Sequence, residues 1–599
     1  MASTDLKTIR VDFRPGVDKT STRYKAEGTW YDADKVRFRS GVPENIRGWE
    51  KQTVSPLIGK ARDILTWADN AGNSLIALGT ECKLYVVKGG ALYDITPIDH
   101  TVSIVDGINT TSNSVRVVVS AVHGITGAHN YVVFTSQGTT VGGNIYLNGD
   151  YFVSVINANS FAVDTSVSAV ATSAGAGGQL TIGVEIACGT SLATYGFGYG
   201  TGPYGMSTYG TPRTTSNVVL DMRQWSLDTW GQDLMACIRG GRLYHWDSSI
   251  GVSARATIVN NAPTQNNFIK VSPEDRHLIS FGGTDVITSV FDPHVVQWCD
   301  TEDYNTWIPT VTNAAGSFRI DGGNELIAAC RGARQINFFS DDTAHAMTYV
   351  GPPYTFGFSQ LGGVCGIIAP HACTEFNSKI YWMSTHNFHV YDGQVKTIPC
   401  TLLKYVFDDI NLVQKDKIYV GTNKEFGEII WLYCSSSSND IDRYVIYNTT
   451  DGSWVNGTFN WTVWADQTIF DNVIVVGSDS YIRNMDVDDL YTGDGLRYES
   501  MIETADFDIA DGGDMVFWDR IIPDFDIDGT IQLFVTSKKY PGGSEITKGP
   551  YSITDSTAKI DFRQRGRQVR MRLSTSATPA GVRWQLGALR FNLGPDGSR

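Results

Sequence analysis

The chain has 599 residues, of which 42% are hydrophobic and 19% charged, and its formal net charge is −15. A chain of this length should bury more than one core, and its few charges beside many Gly, Tyr, Phe and Trp residues favour short strands over long charged helices. Overall acidity argues against a protein that grips DNA, because DNA phosphates attract Lys and Arg. No apolar run reaches about 18 residues and the N-terminus lacks the apolar core of a signal peptide, so neither membrane spanning nor secretion is expected.

Nine cysteines are scattered along the chain without a CxxC pair. An odd count without paired spacing is typical of free, buried thiols in a reducing compartment. We therefore expect the protein to fold in a cytosol.

The N-terminal segment, residues 1–62, differs from the rest in charge, with 13 basic and 8 acidic side chains. The segment 98–215 carries 2 basic and 5 acidic residues, and residues 500–599 carry 13 of each. The residues outside these three segments therefore hold a net charge of −17. Those acidic stretches are residues 63–97 and 216–499.

A repeat runs through these acidic stretches. Its unit is a short apolar run, a polar turn and a second run rich in Tyr, Trp or Phe, and the later copies are 43, 49, 53, 50 and 44 residues apart. This is the size of a four-stranded propeller blade. The sequence therefore predicts an all-β fold: a β-propeller of about six or seven blades, with the first blade in 63–97 and the remainder in 216–499. The count stays open because N-terminal strands could complete the ring. The first apolar runs are centred on Ala77, Ala236, Ile279, Ala328, Tyr381, Trp431 and Val475.

Residues 98–215 interrupt the repeat between its first two copies. They hold 7 charged residues in 118, and Val, Thr, Ser, Gly and Ala alternate along them. This pattern predicts a small inserted β-sandwich. The insert ends in a Gly- and Tyr-rich stretch, residues 195–210, which is expected to be a loop that either packs on its own domain or contacts a partner.

Residues 500–599 are predicted to form a C-terminal β domain containing an arginine cluster. In "QVRMRL" (568–573) a strand would bury Val569, Met571 and Leu573 and leave Gln568 and two arginines on the other face. "DFDIDG" would present three aspartates on one strand face. The cluster is expected to pair with acids inside the domain, with a neighbouring subunit or acidic partner, or with phosphate. The residues are Arg563, Arg565, Arg567, Arg570, Arg572, Asp524, Asp526 and Asp528.

Catalytic and metal motifs are weak throughout. "DFDIDG" has Val535 where a calcium loop needs a bidentate Glu, so a strand is favoured. His386 and His389 fall in a predicted hairpin, and His371 and Cys373 lie among apolar neighbours without an orienting third group. The turn in "NTTDGSW" (448–454) fits an ordinary hairpin. We expect no catalytic, metal or cofactor site and a protein that is not an enzyme.

Several longer strings resemble a known family. These are "SGVPENIRGWEK", "LYDITP", "QWSLDTWGQDL", "APTQNNFIKVSPEDRHLISFG", "QWCDTEDYNTWIPTVTNAAGSFRI", "YVGPPYTFGFSQLGGVCGIIAPHA" and "YWMSTHNFHVYDGQVKTIPC". They are similar, in the same order from about residue 10 onward, to the tail nozzle proteins of short-tailed bacteriophages (podoviruses). The alternatives are a tail hub or receptor-binding protein, or a propeller acting on glycans.

The resemblance implies a homohexameric ring in the virion tail, below the portal and the tail adaptor protein. Such a ring would extend the conduit for viral double-stranded DNA, retain the genome without tight binding, release it at infection, and help anchor fibres or other distal tail proteins. An acidic wall would suit DNA passage. The basic N-terminal segment would dock onto the adaptor or fold back onto the acidic propeller. Its clustered residues are Arg10, Arg14, Arg23, Lys25, Lys35, Arg37 and Arg39.

Overall fold

The computed structural model describes residues 7–126, 131–193, 222–332, 334–487, 499–508, 515–575 and 582–596. The chain divides into two compact units. One consists of residues 1–54 and 361–599, and the other of residues 55–360. The regular secondary structure of these residues is almost entirely β-strand. The predicted loop at 195–210 lies outside them.

The N-terminal segment forms six short strands that join sheets built mainly by residues far along the chain. Five of them enter the sheets of the C-terminal domain, and the sixth completes a sheet of the repeat region. The strands are β1 (Lys7–Val11), β2 (Arg14–Val17), β3 (Thr29–Asp34), β4 (Val36–Arg39), β5 (Val42–Asn45) and β6 (Gly48–Lys51).

The first repeat is a four-stranded antiparallel sheet with strands in sequential order. Its strands are β7 (Ala61–Ala68), β8 (Ser74–Thr80), β9 (Leu84–Lys88) and β10 (Ala91–Asp94).

The insert is two sheets packed on one core, as the sequence predicted. One sheet has the order β11-β19-β14-β15 and the other β16-β17-β13-β12-β18. Apolar residues from both sheets, among them Val119, Phe134 and Ile182, form a single buried cluster. The strands are β11 (Ile98–Val105), β12 (Ile108–Thr110), β13 (Arg116–Ser120), β14 (Tyr131–Gln137), β15 (Gly149–Phe152), β16 (Ser154–Asn157), β17 (Ser160–Asp164), β18 (Ser173–Ala176) and β19 (Gln179–Glu185).

Three further four-stranded sheets follow the insert in the same unit. Neighbouring sheets share apolar cores: the first of the three packs on the sheet of the first repeat, the second packs on the first, and the third packs on the second. The strands are β20 (Trp225–Trp230), β21 (Asp233–Ile238), β22 (Leu243–Trp246) and β23 (Thr257–Ile258), then β24 (Asn266–Val271), β25 (Leu278–Thr284), β26 (Phe291–Trp298) and β27 (Gly316–Arg319), then β28 (Leu326–Arg331), β29 (Ile336–Ser340), β30 (Ala344–Gly351) and β31 (Thr355–Gly362).

The other unit contains three more sheets of this kind and two short helices, α1 (Leu403–Asp409) and a 3-10 helix (Leu412–Lys417). In the last sheet β6, the N-terminal strand, pairs with the final repeat strand. The strands are β32 (Cys373–Phe376), β33 (Lys379–Met383), β34 (Phe388–Tyr391) and β35 (Val395–Thr397), then β36 (Tyr419–Asn423), β37 (Glu428–Tyr433), β38 (Arg443–Asn448) and β39 (Trp454–Gly457), then β40 (Trp461–Ala465), β41 (Ile474–Gly477) and β42 (Ile482–Val487).

The C-terminal domain is built from two large sheets. One has the order β4-β5-β50-β45-β48 with β1 on β50, and the other β2-β3-β43-β49-β46-β47 with β44 on β49. The strands are β43 (Met501–Thr504), β44 (Phe507–Asp508), β45 (Val516–Asp528), β46 (Ile531–Lys538), β47 (Ile546–Ile553), β48 (Ile560–Gly566), β49 (Gln568–Thr575) and β50 (Arg583–Pro595).

The fold is therefore all-β and of the β-propeller class, with an inserted sandwich. A repeated contact accounts for some of the glycines. Gly79 of β8 and Gly421 of β36 each lie directly under a tryptophan ring of the following sheet, Trp225 and Trp464 respectively, and a methyl group at either glycine would overlap that ring. Each indole N–H donates to a backbone oxygen of the sheet it covers, at 2.7 Å for Trp225 and 2.9 Å for Trp464.

The predicted repeat centres lie on the second strand of their sheets, with one exception. Ala328 lies on β28, the first strand of its sheet. The exception arises because β28, "LIAACR", is as apolar as a typical second strand. The apolar pattern alone therefore does not show which strand of the sheet each run forms.

Candidate interaction surfaces and buried charge clusters

The basic N-terminal residues divide into exposed and paired side chains. Arg14, Lys25 and Arg39 are exposed. Arg10 is also exposed and pairs with Asp12, whose carboxylate lies 2.7 Å from Arg10 Nε. The other three pair within the chain: Arg23 with Glu503 at 3.0 Å, Lys35 with Asp34 at 2.8 Å, and Arg37 as described next.

Arg37 is buried, with only 1% of its side chain exposed, and contacts two carboxylates of the repeat region. Its Nη1 and Nη2 donate to the two oxygens of Asp486 at 2.9 and 3.0 Å, and its Nε lies 3.3 Å from Glu428. The guanidinium also stacks 3.7 Å above the Phe426 ring, and the Asn423 amide donates to Asp486 at 2.8 Å. The basic segment was expected either to dock onto the adaptor or to fold back onto the acidic propeller. Arg37 folds back, since both of its carboxylate partners belong to the repeat region.

Arg570, in the C-terminal arginine cluster, forms ion pairs with several carboxylates of its own domain. Its Nε lies 2.6 Å from Glu503, and its Nη1 and Nη2 donate to the two oxygens of Glu545 at 2.8 and 2.5 Å. Lys538 joins the same group, 2.9 Å from Asp506 and 3.0 Å from Glu545. The hydrogen bonds from Arg570 lower the pKa of Glu545 to about 2. Pairing inside the domain, the first of the predicted alternatives, therefore holds for Arg570.

The other arginines of the cluster have varied environments. Arg565 pairs with Asp596 at 2.7 Å, the Arg563 carbonyl accepts a hydrogen bond from Lys548, and the Arg567 amide donates to the Lys538 carbonyl at 2.9 Å. Arg572 is exposed, and its guanidinium lies 5.9 Å from the Phe534 ring. A role for these residues between subunits stays a prediction.

The predicted strand of "QVRMRL" is confirmed as β49, and Val569, Met571 and Leu573 are buried. Gln568 was expected on the exposed face. That expectation is wrong, because Gln568 is buried where β49 lies between Asp508 of β44 and Lys538 of β46.

Asp524, Asp526 and Asp528 lie exposed on β45, so the strand interpretation of "DFDIDG" is confirmed. They are not the acids that hold Arg570 and Arg565. Arg570 lies on β49, in the other sheet, and β48, which carries Arg565, pairs with the opposite half of β45. The aspartates lie on the half of β45 that pairs with β50 alone, whereas the half that starts at Val516 pairs with both β48 and β50.

A charge cluster that the sequence analysis missed lies where the insert joins the first two sheets. Lys83 Nζ is fully buried and lies 2.9 Å from Asp94, 3.1 Å from Asp150 and 2.7 Å from Glu185. Arg255 reaches the same three carboxylates at 3.3, 3.3 and 2.8 Å. Only the chain fold brings these residues together, since Lys83 and Glu185 are 102 positions apart.

The three carboxylates of this cluster each place an oxygen within 4.8 Å of the others, close enough to hold a metal ion. The ammonium of Lys83 lies among them and supplies, with Arg255, the positive charge that such a group needs. Burial raises the pKa of Glu185 to about 7 and also raises the pKa of Asp150. For Asp94 burial acts in the same direction, but Lys83 and Arg255 outweigh it and leave its pKa lowered. The cluster is an ion-pair network.

The weak motifs have structural settings. His389 lies on β34 and packs against Trp382, and His386 precedes that strand in the predicted hairpin. His371 stacks on Tyr419. Residues 448–454 form the turn between β38 and β39, as predicted. All nine cysteines are thiols outside any disulfide, and six of them are buried, whereas Cys82, Cys373 and Cys400 are only partly buried. Within the described ranges no helix is both long and apolar enough to cross a membrane.

Comparison with known proteins gives only distant similarities. No family model and no curated protein matches the chain. The Cps50 (Swd1) β-propeller domain of Myceliophteria thermophila is 9% identical over 45% of this chain and 84% of its own, with a TM-score of 0.29. The WD40 repeats of RRP9 are 9% identical over 42% and 72%, at 0.28, and the endosialidase of phage phi92 is 9% identical over 72% and 64%, at 0.20. None of these similarities bears on what this chain binds or does.

Proposed function

We propose that this chain is a structural virion protein: the tail nozzle of a short-tailed phage. In this proposal six copies, assembled in the host cytoplasm, form a ring in the tail that extends the DNA conduit below the portal and adaptor. The ring retains the genome, releases it at infection and helps to anchor fibres.

The observation that carries the proposal is the ordered series of strings that resemble tail nozzle proteins. They run from residue 40 to residue 400 and cover strands of seven different sheets. Propeller blades share little sequence in general, because many apolar residues suit the same buried strand. Long matches in the same order are therefore more specific than the fold.

The charge distribution supports passage of DNA rather than binding. The stretches 63–97 and 216–499 carry a net charge of −17. Basic residues around a sixfold ring would each add a phosphate contact, and such contacts accumulate into strong, salt-dependent retention. An acidic wall repels the duplex and lets it slide.

Docking to an adaptor would use the basic side chains that the chain leaves exposed. Arg14, Lys25 and Arg39 meet this condition, Arg10 is exposed but pairs with Asp12, and Arg37 is buried. In the proposal these three residues contact an acidic adaptor surface, and distal tail proteins bind elsewhere on the ring.

The test is to purify the full-length protein, measure its mass by light scattering after gel filtration, and image it by negative-stain electron microscopy. We expect a ring of six chain masses with a central opening, and no retention of double-stranded DNA at physiological salt. A monomer that is absent from virus particles would overturn the proposal. A monomer that degrades a polysaccharide would instead support the glycan-acting alternative.

A further inference from the structure

The sandwich of the insert, β11 to β19, is attached to the rest of its unit without a shared sheet in the described part of the chain. Within the described residues none of its strands pairs with a strand outside it. Its apolar core contains only residues of the insert, and the core between the first two sheets takes in Ile95, Ile186 and Cys188 at its edge but no residue from 98–185. Apart from Ile186 and Cys188, which follow β19, the described apolar clusters therefore do not join the insert to the first two sheets.

The ion pairs at the junction come from three parts of the chain. Lys83 and Asp94 belong to the first sheet, and Arg255 lies between β22 and β23 of the second. The insert contributes Asp150 from β15 and Glu185 from β19. Arg255 also donates to the Thr96 carbonyl at 2.7 Å, on the short link that leads into the insert. Both cations therefore bind carboxylates on the two sides of the junction.

The charges do not balance. Two cations face three carboxylates, so the cluster carries one excess negative charge when every acid is ionised. Lys83 is fully buried and Glu185 is 1% exposed, so water screens the charge on Glu185 poorly, whereas Asp150 is exposed. Glu185 Oε2 is buried and accepts no hydrogen bond from the described part of the chain. One proton on the carboxylates would bring the cluster to neutrality.

We propose that these five side chains form a charge-locked joint that fixes the insert on the first two sheets, and that the joint holds most tightly when its carboxylates share one proton. The inference does not depend on the proposed function.

The other ionisable groups that face Glu185 do not change charge near neutral pH. Burial raises the pKa of Cys82 to about 11, and it raises the pKa values of Cys188, Tyr85 and Tyr131 as well. The proton therefore resides on the carboxylates. The pKa of Glu185 in the fold, about 7, lies above the ordinary value of 4.5. Its contribution to the joint is fully present below pH 4.5 and is lost as the pH rises through 7.

Hydrogen exchange of the full-length protein tests the joint. The amides of Ile186 and Ala256 donate to the carbonyls of Pro97 and Ile95 at 3.2 and 2.9 Å and report on the junction. Amides of β13 and β17, in the insert's own core, serve as internal references. After correction for intrinsic exchange rates, we expect the junction amides to exchange faster at pH 8 than at pH 6, while the references do not change.

Two substitutions distinguish a loosening of the joint from a general loss of stability. Lys83→Met leaves three carboxylates with one cation, so the junction amides should exchange at least about tenfold faster at pH 7. Glu185→Gln removes the excess charge, so it should keep the junction protected at pH 8 and abolish the difference between pH 6 and pH 8. Lys396→Met, which removes an exposed pair with Asp392, is the matched control and should leave the junction unchanged.

The proposal is overturned if Lys83→Met exchanges like the Lys396→Met control. If Lys83→Met also loses protection in β13 and β17, it has unfolded and Glu185→Gln decides. A Glu185→Gln protein that keeps the pH difference would show that these carboxylates do not govern the junction.

Discussion

Glu428 is a carboxyl group buried without a full set of partners. It is 0% exposed, neither of its oxygens accepts a hydrogen bond from the described residues, and the nearest cation, Arg37, already binds Asp486 through two hydrogen bonds. Burial raises the pKa of Glu428 to about 7. As at the insert junction, the acids outnumber the cations: Glu428 and Asp486 share Arg37, and a proton on Glu428 removes the surplus negative charge.

Replacing Glu428 with Gln should therefore stabilise the protein most at alkaline pH. The wild-type carboxyl binds a proton more tightly in the fold than in the unfolded chain, so its contribution is present below about pH 4.5 and is lost as the pH rises through 7. We expect the melting temperature of Glu428→Gln to exceed that of the wild type at pH 8 and the two to converge near pH 5. Calorimetry measures this, with the exposed neighbour substitution Glu425→Gln as control. Equal curves at every pH would contradict the assignment.

At the scale of single elements, β49 joins the two halves of its sheet. It pairs with β43 and β44 on one side and with β46 on the other, and Arg570 carries ion pairs to both sides, with Glu503 on β43 and with Glu545, which precedes β47. Arg572, two residues along on the same strand, is exposed.

Arg570→Glu should destabilise this sheet far more than Arg572→Glu. The first change places a negative charge among Glu503, Asp506 and Glu545. The loss of stability should be on the order of 2 kcal/mol: the shielding of Arg570 from solvent raises it, and the exposure of Glu545 limits it. The second should cost a few tenths of that. Urea unfolding, followed by hydrogen exchange in 531–538 and 568–575, compares them. Similar losses in both variants would show that the ion pairs of Arg570 do not hold the sheet.

At the scale of the whole molecule, the two ends of the chain complete each other's sheets. β50 pairs with β1, β5 and β45, and Glu44 of β5 lies opposite Gln585 of β50. The sheet that contains β1, β4 and β5 is therefore incomplete until β50 is made.

Removing residues 583–599 should release the N-terminal strands as well as the C-terminal end. Without β50 the backbone of β1 and β5 loses its partner strand, so limited proteolysis should cut within 7–45 at protease levels that leave the full-length chain intact. Removal of 597–599 alone is the control and should not change the pattern. Resistance of 7–45 in the longer deletion would show that β1 and β5 are held by other contacts.

Local signals in the sequence were enough to predict the class of fold. Strand alternation, Gly- and Asp-rich turns and a repeat of 43 to 53 residues predicted propeller sheets, and the loss of charge at 98–215 predicted the inserted sandwich. These features follow from short-range rules, since a strand with one apolar face must bury it and a turn needs particular residues. The same rules predicted that Val569, Met571 and Leu573 would be buried.

Partner choice was decided only by the tertiary structure. Arg37 and Asp486 are 449 positions apart, and β6 pairs with β42 across almost the whole propeller sequence. The chain has 48 Lys and Arg and 63 Asp and Glu residues, and charge attraction by itself does not distinguish one carboxylate from another. The pairs that form are those that strand topology brings within a few ångströms and removes from water. For that reason composition alone made the aspartates of "DFDIDG" plausible partners for the arginine cluster. In the fold, however, Glu503 and Glu545 pair with Arg570, and Asp596 pairs with Arg565.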